Sequence, residues 1–237
     1  MLILTLALAT VGCQRAEIGH FGDGAFYHSR GHYRIRYAPD GERLLPSQWT
    51  LTSYAHDSDG RPTEAVPDAH GYDALDTAWL AGRGRSRMIE VPKVDLHFRD
   101  DSSRSEIWVR TMVIPRDWDS APVEAVMHTA VAAISDGSIP MDPLGRRFAP
   151  SSTMIRNYGA AEVDGRRAHW VELDVMRGRV VQRVTLVGMR PGDHQWQWRR
   201  RHRYPMMLVF GFSSPAEEHE SVRRDFAQMV RRVDIGG

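Results

Sequence analysis

The hydrophobic pattern is clearest near the C-terminal end of the chain. Residues 206–212, Met-Met-Leu-Val-Phe-Gly-Phe, form an uninterrupted apolar run of strand length. A strand that lacks polar alternation is typical of the middle of a sheet whose two faces are both covered. The pattern therefore predicts a central strand over this run.

The segment after this run has the pattern of an amphipathic helix. Ser214, Pro215 and Glu217 are residue types favoured at a helix start, and we predict Ser214 as the N-cap. Arg231 and Arg232 suit the negative end of the helix dipole. The apolar positions, which recur at helical spacing, are Val222, Phe226, Met229, Val230 and Val233.

Alternating segments predict further strands upstream. Residues 25–37 predict a small hairpin, and residues 49–54 predict a single strand. Residues 88–99 and 106–114 predict an antiparallel pair joined by a polar turn. Each of these segments is long enough for a strand of ordinary length.

The middle of the chain adds one helix and more strands. Apolar residues over 123–134 recur on one helix face. Residues 160–175 flank the turn Asp164-Gly165, a strong hairpin signal, and residues 179–189 predict the next strand. The order of elements predicts an α+β fold, with a mainly antiparallel sheet and helices packed on it.

The composition is that of a globular protein. The 237 residues suffice for one domain with a substantial core, and 42% of them are hydrophobic. The formal net charge of +1 gives no chain-wide attraction to nucleic acid, so we predict no nucleic-acid partner. The single cysteine, Cys13, excludes an intramolecular disulfide and a thiolate metal cluster.

The N-terminal segment has the features of an export signal. Residues 2–11 are apolar, with the length of a signal-peptide core. The following pair, Gly12-Cys13, resembles the lipobox of bacterial lipoproteins. The resemblance implies a signal peptide over 1–12, a palmitate-type lipid on Cys13 and a tether over 13–24. The protein would then be lipid-anchored in the bacterial cell envelope, at the outer or inner membrane, facing the periplasm or the surface. The alternative is an ordinary secretory signal, in which Cys13 has no special role.

One long segment inside the predicted domain lacks a regular pattern. Residues 55–87 are rich in Asp, Gly, Pro and Arg, and we interpret them as a surface insertion in a domain that spans 25–237. A loop of this length is often functional or mobile.

The sequence shows no recognisable motif for catalysis, metal binding or cofactor binding. It has no G-x-S-x-G nucleophile motif, and we predict no catalytic residue, no metal site and no cofactor. We interpret His28 and His32 as exposed histidines at a strand edge. His128 falls on the polar face of its predicted helix, so we expect it to be exposed as well.

One basic and aromatic stretch, residues 194–204, is a candidate binding surface. Guanidinium groups pair well with phosphate and carboxylate, and indoles sit well at interfaces. We expect an anionic lipid, a glycan or an envelope protein as the partner; the alternative is a twisted hairpin whose tryptophans cover the sheet end. The candidate residues are Trp196, Trp198, Arg199, Arg200, Arg201 and Arg203.

Four segments together resemble the PsbP-like family, which includes PsbP, Mog and DcrB-type envelope lipoproteins. These are the opening hairpin at 26–37, the turn at 164–168, the strand and helix start at 206–215 and the close at 225–235. The resemblance implies a PsbP-like α/β/α sandwich. The insertion at 55–87 is extra to the family pattern.

The sequence thus predicts a lipid-anchored envelope protein that acts as a non-catalytic binding or assembly factor. The PsbP-like family is functionally diverse, so the fold by itself names no activity. The alternative is an exported hydrolase or ligand-binding enzyme that uses residues 55–87 as an active-site loop.

Overall fold

The structure is a computed structural model. Three predicted features, Cys13, the insertion at 55–87 and the stretch 194–204, lie outside the residues that it describes, and they stay predictions. His32 also lies outside them. The described residues are 19–28, 33–39, 41, 43–54, 95–113, 120–135, 152–177, 179–191 and 206–235.

The described residues form eleven strands and two helices. In chain order they are β1 Gly19–Gly22, β2 Ala25–His28, β3 Tyr33–Arg36, β4 Thr50–Tyr54, β5 Leu96–Asp100, β6 Ser105–Val113, α1 Val123–Ser135, β7 Ser152–Val163, β8 Arg166–Arg177, β9 Val180–Met189, β10 Met206–Pro215, α2 His219–Arg231 and β11 Val233–Ile235.

Seven of these strands form one antiparallel sheet, in the order β4-β5-β6-β10-β9-β8-β7. The apolar strand β10 lies at its centre, where Phe210 pairs with Val109 of β6 and Val187 of β9. Asp164 and Gly165 both have positive φ and turn β7 into β8. The mainly antiparallel α+β fold, the central strand and this hairpin are therefore confirmed.

The large sheet is covered on both faces. Helix α1 packs on one face, where Val126 and Met127 join a cluster with β8 and β9. Helix α2 and the small sheet pack on the other face, where Phe226 lies against Phe212 of β10. Gly211 leaves room for the Trp108 indole beside it, because a Cβ atom there would collide with that ring.

The small sheet has the order β1-β2-β3-β11 and ends on a strand that the sequence pattern assigns to a helix. We predict Val233 on the face of the C-terminal helix, but α2 ends at Arg231 and Val233 pairs with Ile35 of β3. The prediction is wrong because Val233 and Ile235 alternate inward at strand spacing. Strand β1 also begins within the predicted tether over 13–24.

The start of α2 differs from the predicted capped turn. Ser214 is still part of β10, where it pairs with Arg183 of β9, and the N-cap of α2 is Glu218 without a side-chain cap. The prediction of Ser214 as N-cap is therefore wrong: the ladder with β9 extends the strand by several residues. Among the described residues, neither helix is long and apolar enough to cross a membrane.

Candidate functional site

One buried polar cluster lies where β10 meets α2. His219 Nδ1 is hydrogen-bonded to Ser214 Oγ at 2.9 Å, and His219 Nε2 to Thr185 Oγ1 of β9 at 3.0 Å. Glu172 Oε2 of β8 lies 3.6 Å from the same Nε2. Serine, histidine and carboxylate are the residue types of a nucleophilic site.

This His219 cluster is closed to substrates. Both His219 and Ser214 have 0% exposure. Burial, followed by the Arg183 charge, lowers the pKa of His219 to about 4, so the ring is neutral at neutral pH. With both ring nitrogens bonded internally, the cluster holds the strand and helix together. Sequence reasoning missed it because its members come from three strands and a helix.

A second buried cluster joins the small sheet to the large one. Asp95 Oδ2 accepts hydrogen bonds from Tyr33 Oη (3.0 Å) and Thr111 Oγ1 (2.5 Å), and His28 Nε2 lies 3.4 Å from Oδ1. Burial, with the Asp95 charge second, raises the pKa of Tyr33 well above its usual range. The prediction of an exposed His28 is wrong: it is buried and stacks on Tyr33, its partner in the β2–β3 register.

Two further histidines meet between α1 and the large sheet. The ring centroids of His128 (α1) and His169 (β8) are 5.4 Å apart, and Tyr158 of β7 lies edge-on to His128 at 5.1 Å. His169 is only 8% exposed, and its Nε2 has no hydrogen-bond partner. His128 is partly buried by these rings, so the prediction that it is simply exposed is wrong.

The exposed large hydrophobic side chains among the described residues lie at the β7 end of the large sheet. Three of them belong to β7, the last strand in the strand order, while Met176 belongs to β8 and Val180 to β9. Tyr158 is the most exposed of them, at 58%. We call this set the β7 edge surface: Met154, Ile155, Tyr158, Met176 and Val180.

The β7 edge surface has exposed apolar groups on both faces of the sheet. Ile155 and Tyr158 pair with Leu173 and Val171, which face the α1 side, whereas Met154 pairs with Asp174 on the opposite face. A register shift between Ile155 and Asn157 disturbs the alternation of β7. This irregularity explains why the sequence pattern predicts the strand only from residue 160.

Comparisons with known proteins give structural likenesses alone. No family model and no curated protein matches the sequence. The solution structure of cyanobacterial PsbP (CyanoP) from Synechocystis is similar over 90% of this chain and 94% of its own, with 16% identity and a TM-score of 0.48. Mycobacterium tuberculosis LpqN, described as involved in cell envelope biogenesis, is similar over 81% and 80%, with 9% identity and a TM-score of 0.43.

Proposed function

We propose that this protein is a non-catalytic binding or assembly factor of the bacterial cell envelope, built on a PsbP-like α/β/α sandwich and anchored through a lipid on Cys13. The observation that carries the binding role is the β7 edge surface. An unpaired strand edge with apolar side chains on both sides of it is suited to the addition of a strand. By contrast, the histidine–carboxylate clusters around His219 and Asp95 are sealed inside the fold.

An extended polypeptide segment is the partner that fits this surface. Among the described strands β7 pairs with β8 alone, so its outer edge offers backbone donors and acceptors over a strand of 12 residues. A strand added there would place its side chains on both faces, beside Ile155 and Tyr158 on one face and Met154 on the other. The exposed apolar groups are distributed as strand addition requires.

The charges at this edge are balanced. Asp174 lies between two guanidinium groups, with Arg183 Nε at 2.8 Å and Arg156 Nε at 3.6 Å. Glu172 and Glu220 also act on Arg183. We therefore propose a partner segment that is recognised through its backbone and its apolar side chains.

Site-specific photo-crosslinking in the native envelope tests the proposal. A benzoylphenylalanine replaces Tyr158 in one strain and Arg224, an exposed residue of α2, in a matched control strain. We expect a defined adduct with another envelope protein from the first position and none from the second. The double substitution M154K/I155K should reduce the adduct about tenfold, as loss of a central apolar contact would.

Two results would contradict this function. Equal adducts at both positions would show that the crosslinks are unspecific, and an adduct formed only with a second copy of the chain would make the edge a self-association surface.

The anchor is tested separately: palmitate incorporation should disappear in Cys13→Ser and persist in the other variants. The stretch with Trp196 and Arg199 is proposed as a contact for anionic headgroups, which vesicle binding of Arg199–Arg201→Ser variants would test.

A further inference from the structure

The histidine pair between α1 and β8 contains a buried nitrogen without a partner. His169 Nε2 has no hydrogen bond, although the residue is only 8% exposed. A buried polar atom without a partner costs about 1–3 kcal/mol, so native structures rarely retain one without a use for it. An imidazole nitrogen in this position can serve as a metal ligand.

The second ring lies at a distance that is compatible with a shared ion. The centroids of His128 and His169 are 5.4 Å apart, and the rings are tilted by 54°. Two imidazoles on one tetrahedral ion, with metal–nitrogen distances of about 2.0 Å, have centroids roughly 5 Å apart. We propose that His128 and His169 together bind one divalent transition-metal ion of the Cu²⁺ or Zn²⁺ class.

The site is open to solvent on one side. The Tyr158 ring beside it is largely exposed, and His128 is only partly buried.

Water or one nearby carboxylate would occupy the remaining coordination positions of the ion. The described residues contain no ready-made group of three or more His, Cys, Asp or Glu side chains for a metal. Glu124 lies one helical turn before His128 on α1, where its Oε1 accepts a hydrogen bond from Arg167 at 3.1 Å. Residues four apart share a helix face, so Glu124 can reach the ion after leaving Arg167.

Copper titration of the full chain tests the site. The protein is purified in detergent, stripped with a chelator and titrated with Cu²⁺ or Zn²⁺ salts, and the copper form is analysed by electron paramagnetic resonance. We expect one tight equivalent with two nitrogen ligands, and tighter binding of Cu²⁺ than of Zn²⁺. His128→Gln should weaken this binding at least about tenfold, since even loss of a group behind a ligand costs that much.

The matched control is His20→Gln, which removes an exposed histidine that stacks on Tyr27 of β2. It should leave the tight equivalent unchanged. Wild-type affinity in His128→Gln, or loss of the tight equivalent in His20→Gln, would overturn the proposal. So would the absence of a tight equivalent in the wild type. The result does not depend on whether a partner binds the β7 edge surface.

Discussion

His219 and His169 lie on opposite faces of the same large sheet, and they show what distinguishes a structural histidine from a candidate ligand. Both are buried, and burial is the first cause of a lowered pKa in each. They differ in their ring nitrogens: His219 uses both for hydroxyl groups, whereas His169 Nε2 has no partner. A buried histidine therefore suggests binding only if a nitrogen remains unsatisfied.

Removal of the His219 ring, whose two nitrogens are both hydrogen-bonded, should reduce the stability of the protein most. His219→Ala should lower the free energy of unfolding by about 3–5 kcal/mol, because it leaves a cavity beside Phe212 and deprives Ser214 and Thr185 of their partner. Urea denaturation followed by circular dichroism measures this loss. A loss below about 1 kcal/mol would mean that the cluster does not hold α2 on the sheet.

The stability of the protein should also depend on pH through His219. The pKa of His219 is about 4 in the folded protein against 6.5 as its ordinary value, so the unfolded chain takes up the proton first as pH falls. The contribution of His219 to the free energy of unfolding is complete above pH 6.5. It declines by about 3 kcal/mol as pH falls to 4. His219→Gln should lack this decline, which urea denaturation at several pH values would show as a difference from wild type.

Removal of the His169 ring, whose Nε2 has no hydrogen-bond partner, should reduce the stability of the protein least. His169→Leu should leave the free energy of unfolding unchanged or raise it by up to about 3 kcal/mol, because an apolar side chain removes a buried nitrogen that has no partner. Parallel denaturation of His169→Leu and His219→Leu checks the contrast directly. Equal and large losses in the two variants would show that the two histidines are equivalent structural groups.

The sequence predicts the elements that depend on local pattern. The apolar run of β10 and the Asp164-Gly165 turn need no distant information, since continuous hydrophobicity and positive φ are local properties. Val233 is different: its apolar spacing fits a helix, but the pairing with Ile35 decides that it forms a strand. Local patterns do not contain such long-range pairing.

The candidate sites could not be predicted from the sequence for the same reason. His128 and His169 come from α1 and β8, and no spacing in the sequence connects them. The β7 edge surface depends on the strand order, which leaves Tyr158 at the end of the sheet. The sequence shows which residues could bind a partner or a metal ion, while the sheet topology decides which of them meet.

The pairing of β3 with β11 has a consequence for biosynthesis. Arg34 and Asp234, an ion pair across these strands, are separated by 200 residues. At a synthesis rate of about 5–20 residues per second, β3 emerges roughly 10–40 seconds before its partner strand exists. The outer edge of β3 stays unpaired throughout that interval. A chaperone that covers nascent strands would therefore have to stay bound to the first hairpin until β11 is made.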